Sequence, residues 1–303
     1  MKGLAAFAMK GRWQAVLVIA GLVCLSFMIP LVGLLSSAAL GLVVLRQGLP
    51  AASTVLVPSA VVVAVFGGVV LGSVAAPLIY ALLLWLPTAV AAWVLRISRR
   101  IDWALASVVV PALVAVLAVY GLVGDPAEFW SEKLTLMVQP LLDQAPAGFD
   151  ADGARSGLRV AAHYATGFVS AGSALSVFMT LMLARWWQSL LYNPGGFRTE
   201  FLELRPSPAF AYAALVSIGG AMLLPWPALA ELMWNLGLVF FVLYLMVGIA
   251  VIHSLLSRRP AGKFWLAGLY LLLFVIPQVA IPVVLMGFTD VWMDWRHRRV
   301  AGA

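Results

Sequence analysis

Glu231 and Asn235 stand four residues apart in the run PALAELMWNLGLVFF, so they share one helical face inside an apolar stretch. An ionisable side chain held in such a place is costly and marks function by default. His163 and the adjoining Tyr164, in RVAAHYATG, and Gln278, in FVIPQVA, are placed similarly. Each lies within about two helical turns of the expected outer end of its run. Together they offer an acid, an imidazole, a phenol and two carboxamides, a set suited to holding a small polar ligand in an outward-opening pocket. Ordinary interhelical hydrogen bonding and placement at the headgroups would use the same residues. The sequence leaves both readings open.

A second polar set belongs to the opposite half: Arg46, Gln47, Gln188, Tyr192, His253, Asp290 and Asp294. Asp290 and Asp294 again share a face. Arg46 or Arg185 is expected to pair with one of them and tie distant segments together. Structural ion pairing is the favoured reading. A proton or ion relay is the other, with His253 the group that titrates near neutral pH.

The signatures of catalysis are missing from the chain. It has no phosphate-binding glycine loop, no His-Glu-x-x-His and no paired carboxylates inside an apolar run. Gly67, Gly68 and Gly72 lack the spacing of a dinucleotide loop, and the three histidines, His163, His253 and His297, are far apart. In SAGSALS the small residues read as helix packing, together with Gly167, rather than as a nucleophile site. A lone cysteine, Cys24, permits no internal disulfide and no cysteine metal cluster. No enzyme activity, cofactor or metal is expected.

The elements that must position these residues are helices in a bilayer. Of the 303 residues, 64% are hydrophobic and 10% charged, and the mean hydropathy is +1.04. Soluble domains carry about 25% charged residues, so the chain belongs to the membrane class. The net charge of +7 sits in short clusters between apolar runs, the pattern of the positive-inside rule rather than of nucleic-acid binding.

Apolar runs are expected over 13–29, 31–45, 52–72, 75–95, 102–123, 160–187, 208–225, 229–256, 264–276 and 279–296, with prolines and glycines at the breaks. The first is read as an uncleaved helix. Pro30, and Pro277 with Pro282, are expected to turn the first and last runs into hairpins. Both termini then lie in the cytoplasm with all of the 19 basic residues except Lys133, Arg155 and Arg159. A single last helix would move Arg296, Arg298 and Arg299 outside. Residues 124–159 form the outer segment, with an amphipathic helix carrying Trp130, Leu134, Met137 and Leu141 on one face and a flexible loop, APAGFDADGARSG, after it. Trp13, Trp93, Trp103, Trp186, Trp187, Trp226, Trp265 and Trp295 fall near run ends, as an aromatic belt would.

Residues 184–207 form a cytoplasmic connection. Asn193-Pro194 starts a turn, Gly195-Gly196 permits positive φ, and FRTEFLELR brings Phe197, Phe201 and Leu204 to one face. The segment reads as an interfacial loop or as a docking surface for a partner. The residues set aside for cytoplasmic interaction or structural pairing are Arg46, Arg185, Gln188, Tyr192, Asn193, Pro194, Gly195, Gly196, Phe197, Glu200, His253, Asp290 and Arg296.

ARWWQSLLYNPGGFRTEFLELR resembles the corresponding segment of YybS-like membrane proteins, a bacterial family described as a domain of unknown function. VVLRQGLPAA, VGIAVIHSL and LMGFTDVWMDWRHR resemble its Arg-x-Gly turn, its Gly-x-Ala-x-x-His helix end and its Gly-x-x-Asp…Arg C-terminus. That family is distantly similar to the S-components of energy-coupling-factor transporters. The resemblance implies a bacterial inner-membrane protein organised like an S-component that binds or transports a small molecule. On the first helix the small-residue pairs Gly11–Ala15 and Ala20–Cys24 are the whole of any docking motif.

The expectation is therefore a single all-α polytopic domain, 1–303, of about ten helical segments. Its partners are the bilayer, a small-molecule ligand and a cytoplasmic or membrane protein. The alternative function is a scaffold that docks a partner through 184–207.

Overall fold

The computed structural model describes residues 1–146, 149–257 and 259–297, and every regular element among them is helical. The first half forms α1 (Lys2–Ala8), α2 (Arg12–Leu25), α3 (Val32–Gln47), α4 (Leu49–Val70), α5 (Ala75–Ser98) and α6 (Ile101–Leu122). There follow α7 (Pro126–Asp143), α8 (Ala151–Tyr192), α9 (Gly196–Leu202), α10 (Pro208–Leu223), α11 (Pro227–Leu256) and α12 (Gly262–Val275). A 3-10 turn over Pro277–Val279 leads into α13 (Ala280–Met293). Among the described residues five helices, α4, α5, α6, α8 and α11, are long and apolar enough to cross a membrane. The protein is an integral, multi-pass α-helical membrane protein.

Each expected apolar run contains one helix, and the breaks fall where backbone chemistry asks for them. Gly48, with φ 90°, separates α3 from α4, and Gly72, with φ 66°, lies between α4 and α5. Four prolines, Pro58, Pro87, Pro111 and Pro140, nevertheless lie inside helices. In a bundle the freed carbonyl finds other partners, so proline alone does not end such a helix.

The main departure in length is α8. It starts at Ala151 rather than near 160 and absorbs most of the expected flexible loop. Asp150 explains this: its carboxylate accepts from the Gly153 N–H at 2.8 Å, capping the first turn. Ala147 and Gly148 of that loop, and the basic residues Arg258, Arg298 and Arg299, lie outside the described residues.

The chain divides into two compact units, residues 1–108 with 175–206, and 109–174 with 207 onward. In the first, α3 packs against α2, α4 and α5. The Ser36 hydroxyl accepts from the Trp85 indole N–H at 3.0 Å and donates to the Ile19 carbonyl at 2.6 Å, joining these helices through one oxygen. A Cβ on Gly41 would stand 3.1 Å from the Ala184 methyl and 3.3 Å from that of Thr88, so glycine sets how closely the helices approach. On α4, Val57, Val61, Val65 and Val69 form an exposed four-apart stripe, the pattern of a lipid-facing surface. Trp187, expected in the aromatic belt, is instead fully buried here.

In the second unit α11 packs against α10, α12 and α13. A Cβ on Gly248 would fall on the Val283 carbonyl, and one on Gly287 would fall on the Tyr244 carbonyl and the Gly248 backbone. The Tyr244 and Phe288 rings meet edge to face at 5.1 Å. Residue numbers rise along α11 as they fall along α13, so the two helices are antiparallel. A crossing hairpin would bring α13 back parallel to α11. The last run does break at Pro277, while Pro282 lies in the first turn of α13; α12 stays by the C-terminal end of α11, where Tyr270 packs against His253 at 5.8 Å. The charge count that favours doubling back treats Arg296 as a loop residue. It is in fact buried against Asp290 at 3.2 Å, so the leaflet bias does not act on it.

Candidate functional site

The second unit gathers Tyr120, His163, Glu231 and Asn235 near the N-terminal end of α11. The Glu231 carboxylate accepts from the Tyr120 hydroxyl at 2.6 Å through one oxygen and meets His163 Nδ1 at 2.6 Å through the other. Its side chain is 19% exposed and that of His163 53%, so the acid is shielded while the imidazole remains reachable. Carboxylate, imidazole and phenol thus form one chain in which a proton can be held between neighbours. With Nδ1 turned to Glu231, Nε2 is the atom His163 can present to a ligand.

Asn235 fixes this geometry. Its amide nitrogen has two N–H donors within reach of three acceptors, the Tyr120 oxygen at 2.9 Å, the His163 carbonyl at 2.7 Å and the Glu231 carbonyl at 2.8 Å, so one hydrogen is shared. Its oxygen accepts from the Gly167 N–H at 2.6 Å. The carboxamide therefore spans a donor and an acceptor one turn apart on α8. The approach requires glycine: a Cβ on Gly167 would lie 2.7 Å from the Asn235 Cα. On the same stretch of α8, Thr166 accepts from the Trp130 indole at 2.8 Å, which ties the amphipathic α7 to the cluster's helix.

Of the residues singled out in the sequence, the fold brings together His163, Glu231 and Asn235. Tyr164, one residue and about 100° further round α8, makes no hydrogen bond to them. Gln278 lies in the 3-10 turn beside the C-terminal part of α11, at least about 25 Å along that helix from Glu231 at 1.5 Å per residue. It is at the far end because α12 does not carry the chain across. Tyr120 is the member that sequence reasoning missed. In VLAVYGLVGD it reads as an interfacial aromatic, and its one signal is its place near the same expected end of a run.

The inner-half residues take part in pairs within each unit. In the first unit Arg185 forks onto Glu200, at 2.8 and 2.5 Å, and donates to the Gln188 side chain at 3.1 Å. The Arg46 guanidinium lies 4.4 Å over the Tyr192 ring. Both arginines are thus engaged near their own unit's helix ends. Asp290 pairs with Arg296 inside the second unit, with side chains 1% and 3% exposed. His253 turns Nδ1 to the Ile249 carbonyl at 2.9 Å.

The turn after α8 forms where Asn-Pro-Gly-Gly places it. Gly195 adopts φ 91°, and the Gly196 N–H returns to the Asn193 carbonyl at 3.1 Å. Ser189 holds both arms, donating to the Asn193 carbonyl at 2.7 Å and accepting from the Phe197 N–H at 3.2 Å. On α9 the Phe197 and Phe201 rings stack at 5.7 Å, and Leu204 is buried.

Among the described residues no group of three or more His, Cys, Asp or Glu side chains is placed to hold a metal ion. No family model, no curated protein and no solved structure matches the chain.

Proposed function

We propose that the protein is a small-molecule-binding subunit of a membrane transport system, taking a polar ligand at Tyr120, His163, Glu231 and Asn235. One observation carries this reading: a largely shielded carboxylate, shared by a phenol and a reachable imidazole from two other helices, inside a membrane protein. Such groups are costly to keep in a bilayer and mark ligand or ion paths by default. The S-component-like organisation and membership of the YybS-like family are part of this proposal and rest on the quoted motifs. So does the setting, a bacterial inner membrane with the basic helix ends of Arg46, Arg96, Arg99, Arg185 and Arg198 on the cytoplasmic side. In this reading the cluster faces outward, and the protein binds its ligand rather than transforming it.

The test is a thermal-shift screen of polar metabolites on the purified protein, repeated on Glu231→Gln and His163→Ala. A ligand that stabilises the wild type and neither variant supports the proposal. A panel that shifts none of the three proteins, or shifts all of them equally, removes it.

A second reading is a scaffold that docks a cytoplasmic partner through 184–207. It is favoured by the Arg185–Glu200 fork, which holds α9 in one position. Photo-crosslinkers at 197–204 should then capture one defined partner, and scattered products count against it.

A further inference from the structure

Where α3 and α5 end, the first unit contains a cleft of about 460 Å³ that the cluster above does not use. Its polar wall is Arg96, Arg99, Arg185, Gln188 and Glu200, and Leu95 and Ile97 form an apolar edge. Three guanidiniums and one carboxylate leave an excess of two positive charges. The single acid is already engaged, because Glu200 accepts both prongs of Arg185. Arg96 commits one nitrogen to the Leu45 carbonyl at 2.7 Å and keeps its other donors. Arg99 makes no side-chain hydrogen bond among the described residues.

The backbone adds a separate observation. Arg99 is the C-cap of α5 at φ 54°, in the left-handed region. Glycine is the usual residue there, and a side chain is strained in that conformation. The chain thus holds a guanidinium at a strained backbone position on the wall of a cationic cleft. The carbonyl ends of α3 and α5 oppose an anion, each by about half a charge. Arg96 covers the Leu45 carbonyl, and the Arg99 N–H takes that of Leu95. The cationic excess prevails.

We propose that this cleft binds a phosphate group, gripped by Arg96 and Arg99 while Arg185 and Glu200 brace its inner wall. Two forks three residues apart on one helix end offer more donors than a carboxylate can accept, and they suit a tetrahedral oxyanion. The apolar edge at Leu95 and Ile97 leaves room for carbon attached to the phosphate. The carrier is an anionic phospholipid or a soluble phosphate ester.

Native mass spectrometry of the purified protein separates the two. One arm uses nanodiscs of phosphatidylglycerol against phosphatidylcholine. The other uses glycerol 3-phosphate with the protein in phosphatidylcholine. Wild type should retain one probe at least about tenfold better than Arg96→Gln/Arg99→Gln, which corresponds to about 1.4 kcal/mol. Selectivity in the lipid arm assigns a headgroup, and in the other arm a soluble ester. Arg100→Gln is the control, since Arg100 pairs with Asp102 at 2.6 Å and lies outside the cleft. Equal retention by wild type and double variant in both arms overturns the proposal, as does an equal loss in Arg100→Gln. If the double variant does not fold, Arg99→Gln alone decides, because it breaks no side-chain bond.

Discussion

Asn235 on α11 is set into the backbone of α8 at Gly167: the Gly167 N–H donates to its side-chain oxygen at 2.6 Å, and no Cβ could stand between them. Gly167→Ala should therefore lower the melting point clearly. Gly157→Ala, in the same helix and with open space around it, should be neutral or raise stability by up to about 1 kcal/mol. Equal melting points for the two variants would show that the α8–α11 approach is looser than described.

Removing the carboxamide tests the same joint from the other side. Asn235→Ala removes the acceptor beside the Gly167 N–H and the donor shared by Tyr120 and two carbonyls. The expected loss is about 1–3 kcal/mol, above the average of about 0.6 kcal/mol for a polar contact between membrane helices. Reversible unfolding in mixed micelles measures it.

Gly248 and Gly287 bring α11 and α13 together backbone to backbone. Gly248→Leu should overpack that contact and cost about 1–3 kcal/mol or more. Gly268→Leu on α12, where a Cβ meets nothing within 4 Å, should fold normally.

Burial decides how much each ion pair matters. Asp290→Asn leaves Arg296 without its full counter-charge in a site 3% exposed, and a cost of about 3–5 kcal/mol is expected. Glu200→Gln, at a half-open pair, should cost less. Glu200→Arg combined with Arg185→Glu should recover part of it. The ranking is read from melting points measured side by side.

The direction of α13 is open to chemical mapping. The chain has one cysteine, so Cys24→Ser makes a cysteine-free background. Cysteines placed at Gln278 and at Lys263 should react with an impermeant maleimide from the same side of the membrane. One placed at Trp226 should react from the opposite side. Labelling of positions 278 and 226 from one side would refute the antiparallel arrangement.

By itself, the sequence determined the class of the protein and the position of its helices. Hydropathy and run length are local quantities, and in a bilayer the helix satisfies nearly all of a crossing segment's backbone polar groups. Each apolar run therefore became a helix, and Asn193-Pro194-Gly195-Gly196 became the turn it spells. The share of polar residues that meet was legible only in part. Glu231 and Asn235 share a face by spacing alone, and His163 was placed near the right depth. Tyr120 and Gly167 reached the cluster through packing between helices that no local pattern records.

Tertiary structure alone decided the course of the tail and the partners of its charges. A rule that sorts arginines by leaflet assumes they face water, whereas Asp290 neutralises Arg296 inside the protein and removes it from that count. The nearest compatible charge was likewise a matter of packing. Arg185 found Glu200 fifteen residues on, because the turn at Gly195 folds α9 back against the end of α8.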